Sequence, residues 1–244
     1  MRALVVALVV LASVIPAWAE SPLVAELRSL ATRYHENPRR IDELKAALER
    51  AAQSDPEPDV LLALSQACFI YGDVRARTME EKLDAYDRGR QAARRAVELA
   101  PKNPAAHFWY GTNTGRWGQT KGVMRSLFLL PSVKEAMQTA IEIDPSFAPA
   151  YALGGNIYYE VPALAGGDLD RSEAMFRKGL ELEPHYTNMR VGLARTLWKK
   201  GRTADARREL EAVLAEKAPS NPADWTVKDV PQAKALLTRI RDRS

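Results

Sequence analysis

Three phrases of the chain repeat one another: "VELAPKNPAAHFWYG", "IEIDPSFAPAYALGG" and "LELEPHYTNMRVGLA". Each is an apolar helix end, a proline, a short link and the start of a new helix rich in aromatic residues or leucine. No other feature narrows the fold as much, because a unit this short cannot bury its own apolar face and must stack on copies of itself. Aligned on Pro101, Pro145 and Pro184, the units are 44 and 39 residues apart. The last runs to "EKAPSN", about 35 residues further on. Proline ends each second helix, since it has no N–H to continue the ladder. The small residues Gly111, Gly155 and Ala194 let neighbouring helices approach. The expected product is a right-handed stack of helical hairpins within one domain, 20–244. Its approximate repeats are 22–57, 58–101, 102–145, 146–184 and 185–219. A cap at 229–242 turns Leu236, Leu237 and Ile240 inward. With 46% hydrophobic residues the chain is globular, and long disorder is not expected.

The last copy carries Leu193-Ala194, Leu197, Gly201, Ala206, Leu210 and Val213. In the copy after Pro145, "YALGGNIYY" supplies Tyr151, Gly155 and Tyr158, and "GGDLDRSEAMFRKGLELEP" supplies Ser172, Phe176, Gly179 and Pro184. This pattern resembles the tetratricopeptide repeat, a helix-turn-helix of about 34 residues. The fold class expected is all-α: a tetratricopeptide-repeat-like helical-hairpin solenoid with insertions and a C-terminal capping helix.

Three insertions interrupt the array. "YGDVRARTMEEKLDAYDRGR" is expected to lengthen a second helix, "GRWGQTKGVMRSLFLLPS" adds about ten residues to the next copy, and "EVPALAGGD" adds about five to the third. Together with "AHFWYG", "IDPSFAPAYALGGNIYYEVPALAGGD" and "FRKGLELEP", they resemble the T component of TRAP transporters. That resemblance implies a periplasmic helical-repeat protein, oligomeric in its best-known member, that docks the transporter's solute-binding protein. The stretch from "AHFWYG" to "YALGGNIYY" is more distantly similar to the repeat region of the regulators of microtubule dynamics.

The chain begins "MRALVVALVVLASVIPAWAES", with Arg2 before an apolar run and Ala17 and Ala19 flanking Trp18. This reads as a secretory signal peptide, residues 1–19, and sets the expected location as periplasmic. The one cysteine, Cys68, is far from that junction, so the sequence is not that of a lipoprotein. Membrane association stays open, because a retained leader would anchor the chain. The formal net charge is +4. Taken as a small surplus spread along the chain, it argues against a nucleic-acid partner.

Catalysis finds no motif. The glycines of 111–122 never give Gly-x4-Gly-Lys-Ser/Thr, so no phosphate loop forms. His35, His107 and His185 fall on separate repeats, so neither a metal site nor a cofactor is expected. His107 stands where the repeat carries a large packed aromatic. Cys68 falls at a core position, and no enzyme is expected. In "EVPALAGGD", Val161, Pro162 and Leu164 are expected to cover an edge of the core. Gly166-Gly167 should make a positive-φ turn there, and Asp168 should cap the next helix.

Binding sites are read from helix faces. The first helix of each pair lines the concave side, so its outer stripe should meet a partner. That stripe is Leu62, Gln66 and Phe69, then Phe108, Thr112 and Arg116, then Ala152, Asn156 and Tyr159, and finally Val191, Arg195 and Trp198. The mixture suits an extended peptide or a loop of a protein partner. The expected function is therefore a protein-binding accessory of solute uptake; the alternatives are a general assembly scaffold and a carrier of an apolar ligand. Leu127, Phe128, Leu129 and Leu130 sit in an insertion, on a short connecting helix that cannot turn all four inward. A second subunit is the expected cover, with the chain's own groove or a membrane as alternatives.

Overall fold

Proline and short capping side chains punctuate the helices. The computed structural model describes residues 21–242, and the leader expected at 1–19 lies outside them. The first pair is α1 (Pro22–Ala31) and α2 (Arg40–Ser54). There follow α3 (Pro58–Ile70) with α4 (Met79–Leu99), and α5 (Pro104–Lys121) with α6 (Val123–Ile143). Next come α7 (Ala148–Glu160) with α8 (Leu169–Leu182), and α9 (Thr187–Lys199) with α10 (Thr203–Ala215). A single turn, α11 (Pro222–Asp224), a π-helical turn at Trp225–Asp229 and α12 (Val230–Arg241) complete the chain. No strand occurs among the described residues. Pro58 and Pro104 open α3 and α5, where a missing N–H costs nothing. Pro101, Pro145 and Pro184 stand just past the ends of α4, α6 and α8. Thr78 and Glu81 form a reciprocal capping box on α4, and Asn103 and Asp168 cap α5 and α8.

The second helix of each hairpin packs on its own first helix and on the first helix of the next hairpin. α3, α5, α7 and α9 also touch in succession, so they form an inner layer with α4, α6, α8 and α10 outside. One apolar cluster joins the N-terminal hairpins through Leu27, Leu44, Leu48 and Ala67, and another joins α7 to α12 through Phe176, Met189, Leu197, Leu210 and Ile240. Close packing depends on two glycines. The Phe176 ring lies wedged between Gly155 and Gly192, where an added Cβ would come within 2.7 and 2.4 Å of it. This is the all-α, tetratricopeptide-repeat-like solenoid expected from the repeats.

The insertions depart from their expected forms in instructive ways. Tyr71–Arg75 continues α3 as a π-helical turn, and α4 is lengthened to 21 residues. Residues 126–131 do not form a short connecting helix. α5 runs on to Lys121, Gly122 turns the chain at φ 113°, and the segment becomes the start of the 21-residue α6. Its four apolar side chains then divide by helix periodicity. Leu129 meets the Gly118 notch of α5 and Leu130 joins the cluster around Val133 and Met137, while Leu127 is half-buried and Phe128 points outward. In 160–168, Asp168 caps α8 and Gly166 adopts φ 88° as expected. Leu164 does not cover the core edge: it is fully exposed, and only Val161 packs inward.

Candidate functional site

The inner face is where the first-helix stripe should meet a partner, and the chain itself crosses part of it. After α10, residues 216–229 run back from the last hairpin to the first. The Ala223 amide donates to the Thr32 carbonyl at 3.0 Å, and the Asn221 side chain donates to the Ala31 carbonyl at 3.3 Å. Ala223 is buried beside Ala31, Tyr34, Ile41 and Ile70. The Ser220 amide and the Trp225 indole donate to the carbonyls of His185 and Val213, tying the same segment to the last hairpin. An open solenoid has only neighbour-to-neighbour contacts. Here the two ends are joined.

A polar network sits inside that closure. Tyr34 donates to Asp224 at 2.6 Å, Lys228 lies 3.0 Å from Asp224 and 3.1 Å from Asp73, and Asp73 also receives Tyr86 at 2.7 Å and Arg116 at 3.1 Å. Burial pushes the Asp73 carboxyl up, but the Arg116 and Lys228 charges and the Tyr86 hydroxyl outweigh it and hold it below its ordinary value. For Lys228, burial pulls the ammonium down, and the carboxylates of Asp224 and Asp73 more than restore it. Burial followed by the Asp224 charge raises the Tyr34 phenol. At the far side Asp229 accepts from Thr187 at 2.7 Å and from Asn188 at 3.3 Å. Burial still pushes it up to about 6, against the lowering effect of the Thr187 hydrogen bond.

The expected groove residues divide between this closure and the rest of the inner face. Phe69 lies under Lys228 and Arg116, with cation-to-ring distances of 5.5 and 5.6 Å, and Arg116 is committed to Asp73. Phe69 is therefore partly covered by the chain, while Arg116 stays exposed with its side chain 46% accessible. Gln66 is half-buried on α3. Phe108 packs edge-on to Trp109 and Phe147, and Trp109 stacks in turn towards Phe69, so an aromatic row runs along the face. Trp109 was not among the expected stripe residues, although its spacing from Thr112 and Arg116 puts it on their side of α5. Thr112 presents a buried hydroxyl without a partner, and Asn156 donates to the Ala152 carbonyl at 2.8 Å. Tyr159 carries Arg195 at 4.3 Å and Lys199 at 4.8 Å over its ring, with Arg195 also paired to Glu160. Trp198 packs on the C-terminal core under Arg239. Ala152 and Val191, two further members of the stripe, are buried in the core instead.

The remaining candidates are inert. His107 is half-buried, and its Nε2 lies 2.8 Å from the Pro101 carbonyl. Cys68 is buried, and burial pushes its thiol up to about 12, far from a nucleophile's range. Among the described residues no group of three His, Cys, Asp or Glu side chains is placed to hold a metal ion. No helix among them is long and apolar enough to cross a membrane.

Comparison with known proteins agrees with this architecture. The family model described as "Regulator of microtubule dynamics protein 1-3" matches residues 23–166, and a tetratricopeptide-repeat model matches residues 163–240. The proteins named Regulator of microtubule dynamics protein 3 from Rattus norvegicus and Mus musculus are each 25% identical over 199 residues. That alignment covers 73% of this chain and only 41% of theirs. Among solved structures, a thermophilic TPR protein of Thermus thermophilus superposes with TM-score 0.65 at 21% identity, covering 88% of this chain and 99% of that one. The pilF protein of Pseudomonas aeruginosa gives 0.53 at 15% identity, covering 91% and 93%. Both support the fold alone. The matches point to no catalytic family.

Proposed function

This chain belongs to the regulator of microtubule dynamics protein 1-3 family, and we propose that it acts as a docking module for another protein through the part of its inner face that its own closing segment leaves open. The observation that carries this reading is the cluster of Asn156, Tyr159 and Arg195, half-buried on successive inner helices, with two cations over one aromatic ring. Such a surface combines an aromatic anchor with donors for carbonyl or carboxylate groups, which suits a loop of a folded partner. The finer reading is a periplasmic accessory of a TRAP-type uptake system that docks the solute-binding protein. It is supported by the leader-like residues 1–19 and by insertions that resemble those of the T component. The vertebrate relatives are named for microtubule dynamics, but an export leader favours a partner outside the cytosol.

Fractionation of cells carrying the full chain should place it in the periplasm, and affinity purification from that fraction should recover a solute-binding protein. Asn156→Ala with Arg195→Ala should weaken this complex at least about tenfold, because central interface residues carry most of the energy. Recovery of the chain in the cytosol would overturn the periplasmic reading. Unchanged partner affinity in the folded double variant would overturn the groove.

A further inference from the structure

One end of the molecule combines exposed apolar side chains with cations. α4 and α5 form an antiparallel pair, as do α5 and α6, so the start of α4, the end of α5 and the start of α6 lie together. α5 has 18 residues and α6 has 21, against 13 in α7, α9 and α10. At 1.5 Å per residue the α5–α6 hairpin is about 7 Å or more longer than the two hairpins that follow it. Its tip exposes Val123, Met124 and Phe128, at 70%, 81% and 74%, and Met79 is exposed on the adjoining end of α4.

The charge of residues 116–134 is one-sided. Residues 116–134 contain Arg116, Lys121, Arg125 and Lys134 and no acidic residue, so this stretch holds a charge of +4, equal to the formal net charge of the whole chain. The surplus is therefore local, not spread along the chain. Arg116 is engaged with Asp73, and Lys134 reaches towards the Gly166 carbonyl and the Tyr158 ring. Lys121 and Arg125 remain at the tip, over the Trp117 ring at 5.5 and 5.8 Å, with Arg125 also 5.7 Å from the Phe128 ring. On the neighbouring face of α4, Asp84 pairs with Arg88 and Asp87 with Arg90, and the further acid Glu80 lines the same cleft as Lys121.

We propose that this tip docks the protein onto an anionic phospholipid bilayer, with Phe128, Met124 and Val123 entering the headgroup boundary and Lys121 and Arg125 meeting lipid phosphates. Apolar groups on one face, with Trp at the interface and flanking cations, are the chemistry of a helix that lies on a membrane without crossing it. The cationic stems cover apolar surface while their heads remain in the phosphate layer. A second copy is disfavoured as the cover because a two-fold contact brings the same patch against itself. Lys121 and Arg125 of both copies would then crowd one contact, and residues 116–134 hold no acid to pair with them.

The test is flotation of the full chain with vesicles of phosphatidylcholine, alone or mixed with phosphatidylglycerol. Binding is expected only to the mixed vesicles, weakening as salt is raised. Phe128→Asp with Met124→Asp should reduce the bound fraction at least about tenfold, and Lys121→Gln with Arg125→Gln should do so to a similar extent. These side chains are exposed, so circular dichroism should show both variants folded. Equal or absent binding to the two vesicle types, or binding unaltered in the folded variants, would overturn the proposal. Light scattering that finds a dimer dissociated by Phe128→Asp, with no flotation, would assign the patch to a second copy instead. None of these outcomes bears on the solute-binding partner or on the Asn156 and Arg195 cluster, so the two readings fail separately.

Discussion

Lys228→Met tests whether the closing segment truly clamps the two ends of the solenoid. Methionine keeps most of the apolar stem and removes only the charge. The lost contacts are the 3.1 Å pair with Asp73 and the 3.0 Å pair with Asp224, together with the cation over Phe69 at 5.5 Å. Stranding one partner of a fully buried pair costs about 3–5 kcal/mol, whereas an exposed pair is worth about 0–1. The site lies between these limits. The Asp73 side chain is 9% exposed and that of Lys228 is 20% exposed, and Asp73 keeps Arg116 and Tyr86. The expected cost is therefore about 2 kcal/mol, which for a chain of this size lowers Tm by roughly 4–8 °C. Thermal unfolding followed by circular dichroism gives the total. Hydrogen exchange at the Ala223 amide, which donates to Thr32, reports the clamp itself and should quicken about tenfold or more. A double-mutant cycle with Asp73→Asn should return a coupling of about 1 kcal/mol or more. If Lys228→Met melts with the parent and exchange at Ala223 is unchanged, the network is incidental and the segment is held by packing alone.

Two further outcomes follow from the same geometry. Gly192→Ala places a Cβ within 2.4 Å of the Phe176 ring, and Gly155 on the other side leaves the ring nowhere to move. Overpacking should lower the urea unfolding free energy by about 1–3 kcal/mol, and an unchanged midpoint would mean that the helices separate freely at this contact. Asp229 has its folded pKa raised to about 6 from 3.8, so the folded state holds that proton more tightly than the unfolded state. Its stabilising contribution is complete below pH 3.8 and is lost as the pH rises through about 6, by up to about 3 kcal/mol. Asp229→Asn, fixed in the neutral form, should flatten the fall in stability between about pH 4 and pH 7. Parallel curves for parent and variant would refute the assignment.

The sequence by itself determined the helical hairpins and their order. Helix faces are local information: Pro101, Pro145 and Pro184 end their helices by removing one donor each, and Gly155 and Phe176 meet because the two helices of one hairpin must nest. Helix periodicity placed Asn156 and Tyr159 on one side of α7 for the same reason, but it did not separate them from Ala152, which is buried in the core. What Phe128 faces depended on how far α5 extends before Gly122 turns the chain, a matter of packing against Gly118 that residue types alone leave open. The closure was decided by tertiary structure alone. Tyr34 and Asp224 are 190 positions apart, and no periodic signal connects them. Their meeting is set by small rotations accumulated from hairpin to hairpin. Only the summed curvature brings residues 216–229 back to the first pair, so that Phe69, read as a groove residue, ends beneath the chain's own lysine, and Arg116 shares Asp73 with it.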